Sequence, residues 1–125
     1  MYPQDLRYTV EHEWIRVDGK TGVVGITTYA QDQLGEVVYV DLPKVGSVVV
    51  KDKTFGAVES IKTASDLFAP VSGTVVAVND RLTDQPELVN QDPYGDGWMI
   101  AIEVSDPAHI DPLLTAAQYE AQLPA

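Results

Sequence analysis

Residues 56–78, Gly56-Ala-Val-Glu-Ser-Ile-Lys-Thr-Ala-Ser-Asp-Leu-Phe-Ala-Pro-Val-Ser-Gly-Thr-Val-Val-Ala-Val78, constrain the fold more than any other stretch of the chain. Before Lys62, apolar Val58 and Ile61 are mixed with polar Glu59 and Ser60. After it come Asp66, Leu67 and Phe68, the break Ala69-Pro70-Val71-Ser72-Gly73, and the β-rich run Thr74 to Val78. Two strand-like runs around a short polar centre predict a β-hairpin with Lys62 at or beside its tip. No Asn-Gly or Asp-Gly pair fixes the type of turn. On spacing alone, a lysine at a hairpin tip is a solvated charge that blunts an edge. Its ε-amine is also the common side chain that forms a stable amide with a carboxylic acid. A long stem gives such an attachment reach, and a rigid sheet behind it fixes the base of the swing.

The rest of the chain has the same β character. Tyr8, Val10, Trp14, Ile15 and Val17 lie among polar residues, Asp18-Gly19-Lys20 gives a hairpin turn, and Gly22 to Ile26 forms its second strand. Thr28-Tyr29-Ala30-Gln31 fits a capping box, with Thr28 as N-cap and a helix ending before Gly35. Strands are expected over 36–41 and 47–51, then a turn at Lys51-Asp52-Lys53. The run Gly35 to Val40 echoes Gly73 to Val78, which suggests two similar half-sheets facing each other about a pseudo-twofold axis. Asp84-Gln85-Pro86-Glu87 reads as a helix start, 90–97 as a turn-rich loop and Trp98 to Val104 as the last strand. Asp106-Pro107 opens a short helix with proline at N1, and Thr115-Ala116-Ala117-Gln118 opens another with a capping box. The expectation is a mostly β sandwich with short peripheral helices. It forms a single domain over 1–125, with a core of about 6–104 and a C-terminal helical tail over 105–125.

Composition narrows the chemistry. The chain holds 8 basic and 19 acidic residues, a formal charge of −11, and no cysteine. Such a surface repels phosphates and anionic lipid heads, so neither nucleic acid nor a membrane is an expected partner, and steering toward basic protein faces is. Without cysteine there is no disulfide, thiolate metal site or cysteine nucleophile, so any sulfur chemistry must come from something attached. The apolar runs are too short to span a bilayer. The start, Met1-Tyr2-Pro3-Gln4-Asp5, shows neither a secretion signal nor an Arg-rich presequence, the expectation for a cytosolic protein or a processed organellar one. Two histidines, His12 and His109, and no Gly-x-Ser-x-Gly elbow give no triad. In Glu11-His12-Glu13 an alternating strand would place only the two acids on one face, which does not make a metal site. Asp84, Asp92 and Asp96 lack calcium-loop spacing and read as turn and cap residues.

Glu59-Ser60-Ile61-Lys62, Ala64-Ser65-Asp66 and Pro70-Val71-Ser72-Gly73 together resemble the lipoyl-lysine hairpin of the H-protein family of the glycine cleavage system. The resemblance runs in order through His12-Glu13-Trp14, Val24-Gly25-Ile26-Thr27, Ala30-Gln31, Leu34-Gly35-Glu36-Val37-Val38 and Leu42-Pro43. It continues through Pro86-Glu87-Leu88-Val89-Asn90, Asp92-Pro93-Tyr94-Gly95 and Gly97-Trp98. It implies a lipoyl-domain-like barrel-sandwich hybrid and one covalent lipoic acid on Lys62, with Glu59, Ser60 and Asp66 as hairpin context for the lipoate-attaching enzymes. It implies a non-catalytic carrier whose lipoyl-lysine arm takes the aminomethyl group of glycine from the pyridoxal-phosphate decarboxylase, the P protein. The arm delivers it to the aminomethyltransferase, the T protein, and its dithiol is reoxidised by the dihydrolipoamide dehydrogenase, the L protein. His12, Glu13 and Gln33 are the residues it implies for arm docking, Glu13 for the cationic amine. The plainer reading of that strand has Glu13 exposed and Trp14 in the core. Thr63 stands where the family often has alanine, Tyr29 where acid or histidine is frequent, and Gln33, an amide that does not titrate, where a histidine often faces the arm. The alternatives are an H-like lipoate relay or regulatory module, a lipoyl or biotinyl domain of another complex, and an unmodified β-sandwich interaction domain. Ile61 and Thr63 do not suit biotin attachment, which prefers methionines beside the lysine.

Overall fold

A computed structural model describes residues 2–124. In chain order the elements are β1 (Arg7–Tyr8), β2 (Glu13–Asp18), β3 (Thr21–Ile26), α1 (Thr28–Leu34), β4 (Val37–Asp41), β5 (Val48–Val49), β6 (Thr54–Ser60) and β7 (Ala64–Phe68). Then follow β8 (Gly73–Val78), α2 (Arg81–Asp84), α3 (Leu88–Gln91), β9 (Ile100–Val104), a 3-10 turn at Pro107–His109 and α4 (Ala116–Gln122). The strands make two antiparallel sheets, a six-stranded one in the order β1-β2-β3-β9-β8-β5 and a three-stranded one in the order β4-β6-β7.

The sheets face each other as a sandwich. Ile15, Val24, Val75, Ile100 and Ile102 of the larger sheet share one buried cluster with Val37, Val40, Phe55, Val58 and Leu67 of the smaller. Each sheet keeps its own hydrogen-bond ladder, so the mostly β fold is as expected but does not close into a barrel. The first strands are buried on both faces. Ile15 enters the main core, while Trp14 enters a second cluster with Leu6, Tyr8, Ala116 and Tyr119. There the Tyr8 and Tyr119 rings stack at 4.8 Å, and Tyr2 meets both edge-on. The C-terminal helix α4 therefore contributes a fully buried side chain. Gly73 lets β8 approach β9, because a Cβ there would sit 2.1 Å from the Glu103 carbonyl oxygen.

Several local expectations shift. The N-cap of α1 is Thr27, one residue earlier than expected, and its hydroxyl accepts from Ala30 N. Gln31 does not reach back to a cap N–H; its amide donates to Thr28 O and accepts from Asn90. The strand expected over 47–51 shrinks to two residues, since Lys51 N donates to the Ser72 hydroxyl and the chain turns at Asp52, φ 68°. The helix expected to start at Asp84 is two one-turn helices. Pro86 forces Gln85 out of the helical region (φ −130°, ψ 61°), ending α2 before α3 begins. The last strand starts at Ile100 rather than Trp98, and the Pro107 segment is 3-10. The two similar Val-rich runs fall in different sheets and unequal settings, β4 at an edge and β8 between β9 and β5. The capping box at Thr115 and Gln118 stands where the sequence placed it, and Gly19 and Gly35 both take positive φ, Gly35 with ψ −151° rather than the αL value.

Candidate functional site

Strands β6 and β7 pair Glu59 with Ala64, leaving Ser60-Ile61-Lys62-Thr63 as the turn. Ser60 N donates to Thr63 O at 2.7 Å. The Ser60 hydroxyl tightens the same turn, accepting from Lys62 N and Thr63 N and donating to Thr63 O. Ile61 N donates to Glu36 O, tying the tip to the chain before β4. Lys62 is exposed, and it forms no ion pair among the described residues. Its Cε lies 3.4 Å from where a Cβ of Gly35 would be, so the stem rests on a glycine at φ 79°. By register, Glu59 and Asp66 share one face of the hairpin, and both are exposed.

Two depressions flank the tip. One, of about 390 Å³, lies between the hairpin, α1 and the segment before β2. Thr63, Ala64, Ser65 and Asp66 form one wall, and Tyr29, Gln33, His12 and Glu11 face them. The other, of about 600 Å³, is rimmed by Asp32, Glu36 and Glu87 beside Gly35 and Asn90. Asn90 organises its floor. Its carbonyl accepts from Val37 N, and its amide donates to Gly35 O and to the Gln31 side chain. Sequence reasoning gave Asn90 no task; an asparagine followed four residues later by a tyrosine carries no pattern that says where its amide points.

Of the three residues expected at the arm, His12 and Gln33 line the 390 Å³ cleft and Glu13 does not. Glu13 is 1% exposed, which overturns its reading as an exposed strand residue; Trp14 is fully buried, as core. One Glu13 oxygen accepts from the Thr9 hydroxyl at 2.6 Å and the other from Phe68 N at 3.2 Å, bridging β2 to β7 across the sandwich. Burial pushes its carboxyl up to about 7, against the opposing pull of those donors. His12 lies outside β2 at φ 75°, so the strand alternation assumed for Glu11-His12-Glu13 fails there. Among the described residues no cluster of side chains suits a metal ion. No described helix is long and apolar enough to cross a membrane.

The sequence also missed Thr27 and Tyr119, which meet behind His12. Adjacent Thr27 and Thr28 leave the cap ambiguous, whereas Ala116 and Tyr119, three apart, do mark the buried face of α4.

Comparison with known proteins agrees with this geometry. The family described as glycine cleavage H-protein matches residues 6–125. The glycine cleavage system H protein of Symbiobacterium thermophilum is 59% identical over 119 residues, covering 95% of this chain and 93% of its own length. A probable glycine cleavage system H protein of Haloarcula marismortui is 57% identical over 121 residues, covering 97% and 95%. A crystal structure of a glycine cleavage system H protein from Mycobacterium marinum superposes with a TM-score of 0.90 at 42% identity, over 97% of this chain and 98% of that one. A hairpin that holds a free lysine amine beside a cleft, in a chain matched over nearly its whole length, belongs to the glycine cleavage H-protein family, the lipoyl carriers of the glycine cleavage system.

Proposed function

We propose that Lys62 is the single attachment point for lipoic acid, and that the chain is a non-catalytic carrier over its whole length of 1–125. The observation that carries this is the Lys62 amine, exposed and, among the described residues, without an ion pair, on a turn cinched by Ser60. The residues present fit the group. An uncharged stem can lie on Gly35, and the cleft beside Thr63 and Asp66 can take an elongated chain. Bound there, lipoate supplies the redox-active disulfide that a chain without cysteine lacks. The protein's own part is positional. Ser60 and Glu36 hold the tip, Glu59 and Asp66 mark it for the lipoate-attaching enzymes, and the sandwich behind fixes its pivot. The partners that follow are the P, T and L proteins, met in turn, and the setting is the cytoplasm.

The cleft lined by His12, Tyr29, Gln33 and Asp66 is the seat we assign to the arm. A second reading has one observation in its favour: the Lys62 stem lies against Gly35, at the lip of the 600 Å³ groove. Amide shift changes on lipoylation separate the two, at residues 12, 29 and 33 for the first seat and at 32, 36 and 90 for the second. The test of attachment is intact mass and peptide mapping of protein lipoylated in its host, beside Lys62→Arg. The expected outcome is one lipoyl group on Lys62 and none on the variant. Modification at Lys44, Lys51 or Lys53, or a modified Lys62→Arg chain, overturns the assignment.

A further inference from the structure

Tyr119 of α4 reaches from the C-terminus to the cleft. Its hydroxyl oxygen lies 2.7 Å from His12 Nδ1 and 2.8 Å from Thr27 Oγ1. Thr27 and Tyr119 are both 0% exposed, so water cannot complete their hydrogen bonds. Thr27 Oγ1 already accepts from Ala30 N as the cap of α1. Among the described residues, the Thr27 proton has a single acceptor within reach, the Tyr119 oxygen. Tyr119 must then give its own proton in the other direction, to His12 Nδ1. The opposite order would send the Tyr119 proton to Thr27 and leave the buried Thr27 proton with no acceptor. Nδ1 is therefore the bare nitrogen of His12, and Nε2 carries the hydrogen.

The rest of His12 is equally constrained. Its backbone is held at φ 75°, with its N–H donating to Thr9 O and its carbonyl accepting from Thr27 N. Its ring leans on Tyr29 at 4.8 Å between centroids and lines the 390 Å³ cleft. Nε2 meets no partner among the described residues. Burial also lowers the basicity of the ring, in keeping with a neutral imidazole.

We propose that His12 presents a fixed Nε2–H donor to the cleft for a neutral carbonyl acceptor, the amide carbonyl of acylated Lys62, and that Tyr119 is the positioning residue that fixes it. This rests on the cleft being the seat of the arm. It also limits what His12 can do, since a nitrogen that already carries hydrogen cannot accept from the cationic amine at the far end of the cargo. His12 serves the attached end of the arm, and α4, whose Tyr119 is 57 residues from Lys62 in sequence (119 − 62), belongs to the site.

The test uses the full chain labelled with 15N, apo and lipoylated, the latter checked by mass. Long-range proton–nitrogen correlation reads the state of each ring nitrogen, with His12→Gln distinguishing the His12 signals from those of His109. In wild type, His12 should show an acceptor-type Nδ1 and a protonated Nε2. Tyr119→Phe keeps the ring stacked on Tyr8 and removes only the hydroxyl, and should shift both nitrogens toward the averaged positions of a tautomer mixture. Lipoylation of wild type should move the Nε2–H signal downfield, and in Tyr119→Phe by less. A protonated Nδ1 in wild type, or a tautomer unchanged in Tyr119→Phe, overturns the relay. The wild-type measurement alone decides if that variant fails to fold. The expected tautomer with no response to lipoylation overturns instead the seating of the arm in this cleft.

Discussion

Glu13 receives two donors and, among the described residues, forms no ion pair, an arrangement with a measurable signature. Its folded value of about 7 lies above the ordinary 4.5, because burial penalises the charged form. Below about 4.5 both folded and unfolded chains hold the proton and the group is neutral in effect. Between the two values only the unfolded chain ionises, and above about 7 the folded chain bears the full cost of a buried charge. This one group therefore lowers stability as pH rises through that window, by about 3 kcal/mol at most. In Glu13→Gln the amide oxygen can still accept from the Thr9 hydroxyl or from Phe68 N, and the side chain cannot ionise. The expected outcome is that the difference in unfolding free energy, variant minus wild type, grows from pH 4.5 to 8 in matched denaturant titrations. A flat difference would show that Glu13 ionises freely. At this scale the sequence was legible for identity and not for environment. It marked Lys62, Ser60 and Glu13 as residues of interest, but nothing in His12-Glu13-Trp14 says that Glu13 turns inward while His12 takes a left-handed backbone.

The elements show the same division. Hairpins announced by turn chemistry, such as the one at Asp18-Gly19, and the helix opened by Thr115 and Gln118 were readable because the signal is local. The cap of α1 was misplaced because Thr27 is chosen by its burial beside Tyr119, a contact 92 positions away. Strand β5 was overestimated because a valine run reads as strand wherever it occurs, while its length is set by the side chain of Ser72. Helix α3 is only four residues, yet its Asn90 holds Gly35, Val37 and Gln31 at once. Asn90→Ala leaves Val37 N and Gly35 O without those partners and should cost about 2 kcal/mol, within the ordinary penalty for unpaired half-buried groups. Hydrogen exchange should show the loss as faster exchange at the Val37 amide and no change in β2 and β3. Uniform loss of protection would mean that Asn90 supports the whole fold rather than the seat of the Lys62 stem.

For the whole molecule, sandwich architecture and a single core followed from the count and spacing of strands. The unequal sheets, six strands against three, did not, because pairing partners far apart in sequence leave no local trace. Net charge was readable without any structure. It moves from −11 to −12 when one lysine is acylated. Encounter with partner enzymes through such a field weakens as screening lengths fall from about 10 Å at 0.1 M salt to about 3 Å at 1 M. The apparent KM for this carrier should therefore rise with salt in assays with the decarboxylase and with the aminomethyltransferase. Flat values in both would assign the charge to solubility alone.

The second cluster gathers more than packing. Both tryptophans, Trp14 and Trp98, belong to it or lie against it, together with Tyr2, Tyr8, Tyr94 and Tyr119. The hairpin from Thr54 to Phe68 holds neither tryptophan nor tyrosine. Tyrosine is spread more widely, with Tyr29 in the cleft beside the hairpin and Tyr39 paired with Glu59. Tryptophan is one-sided: its emission, excited apart from that of tyrosine, reports how the first strands and α4 hold together. A fluorescent label on the hairpin would therefore be read beside a tryptophan signal whose source lies in another cluster.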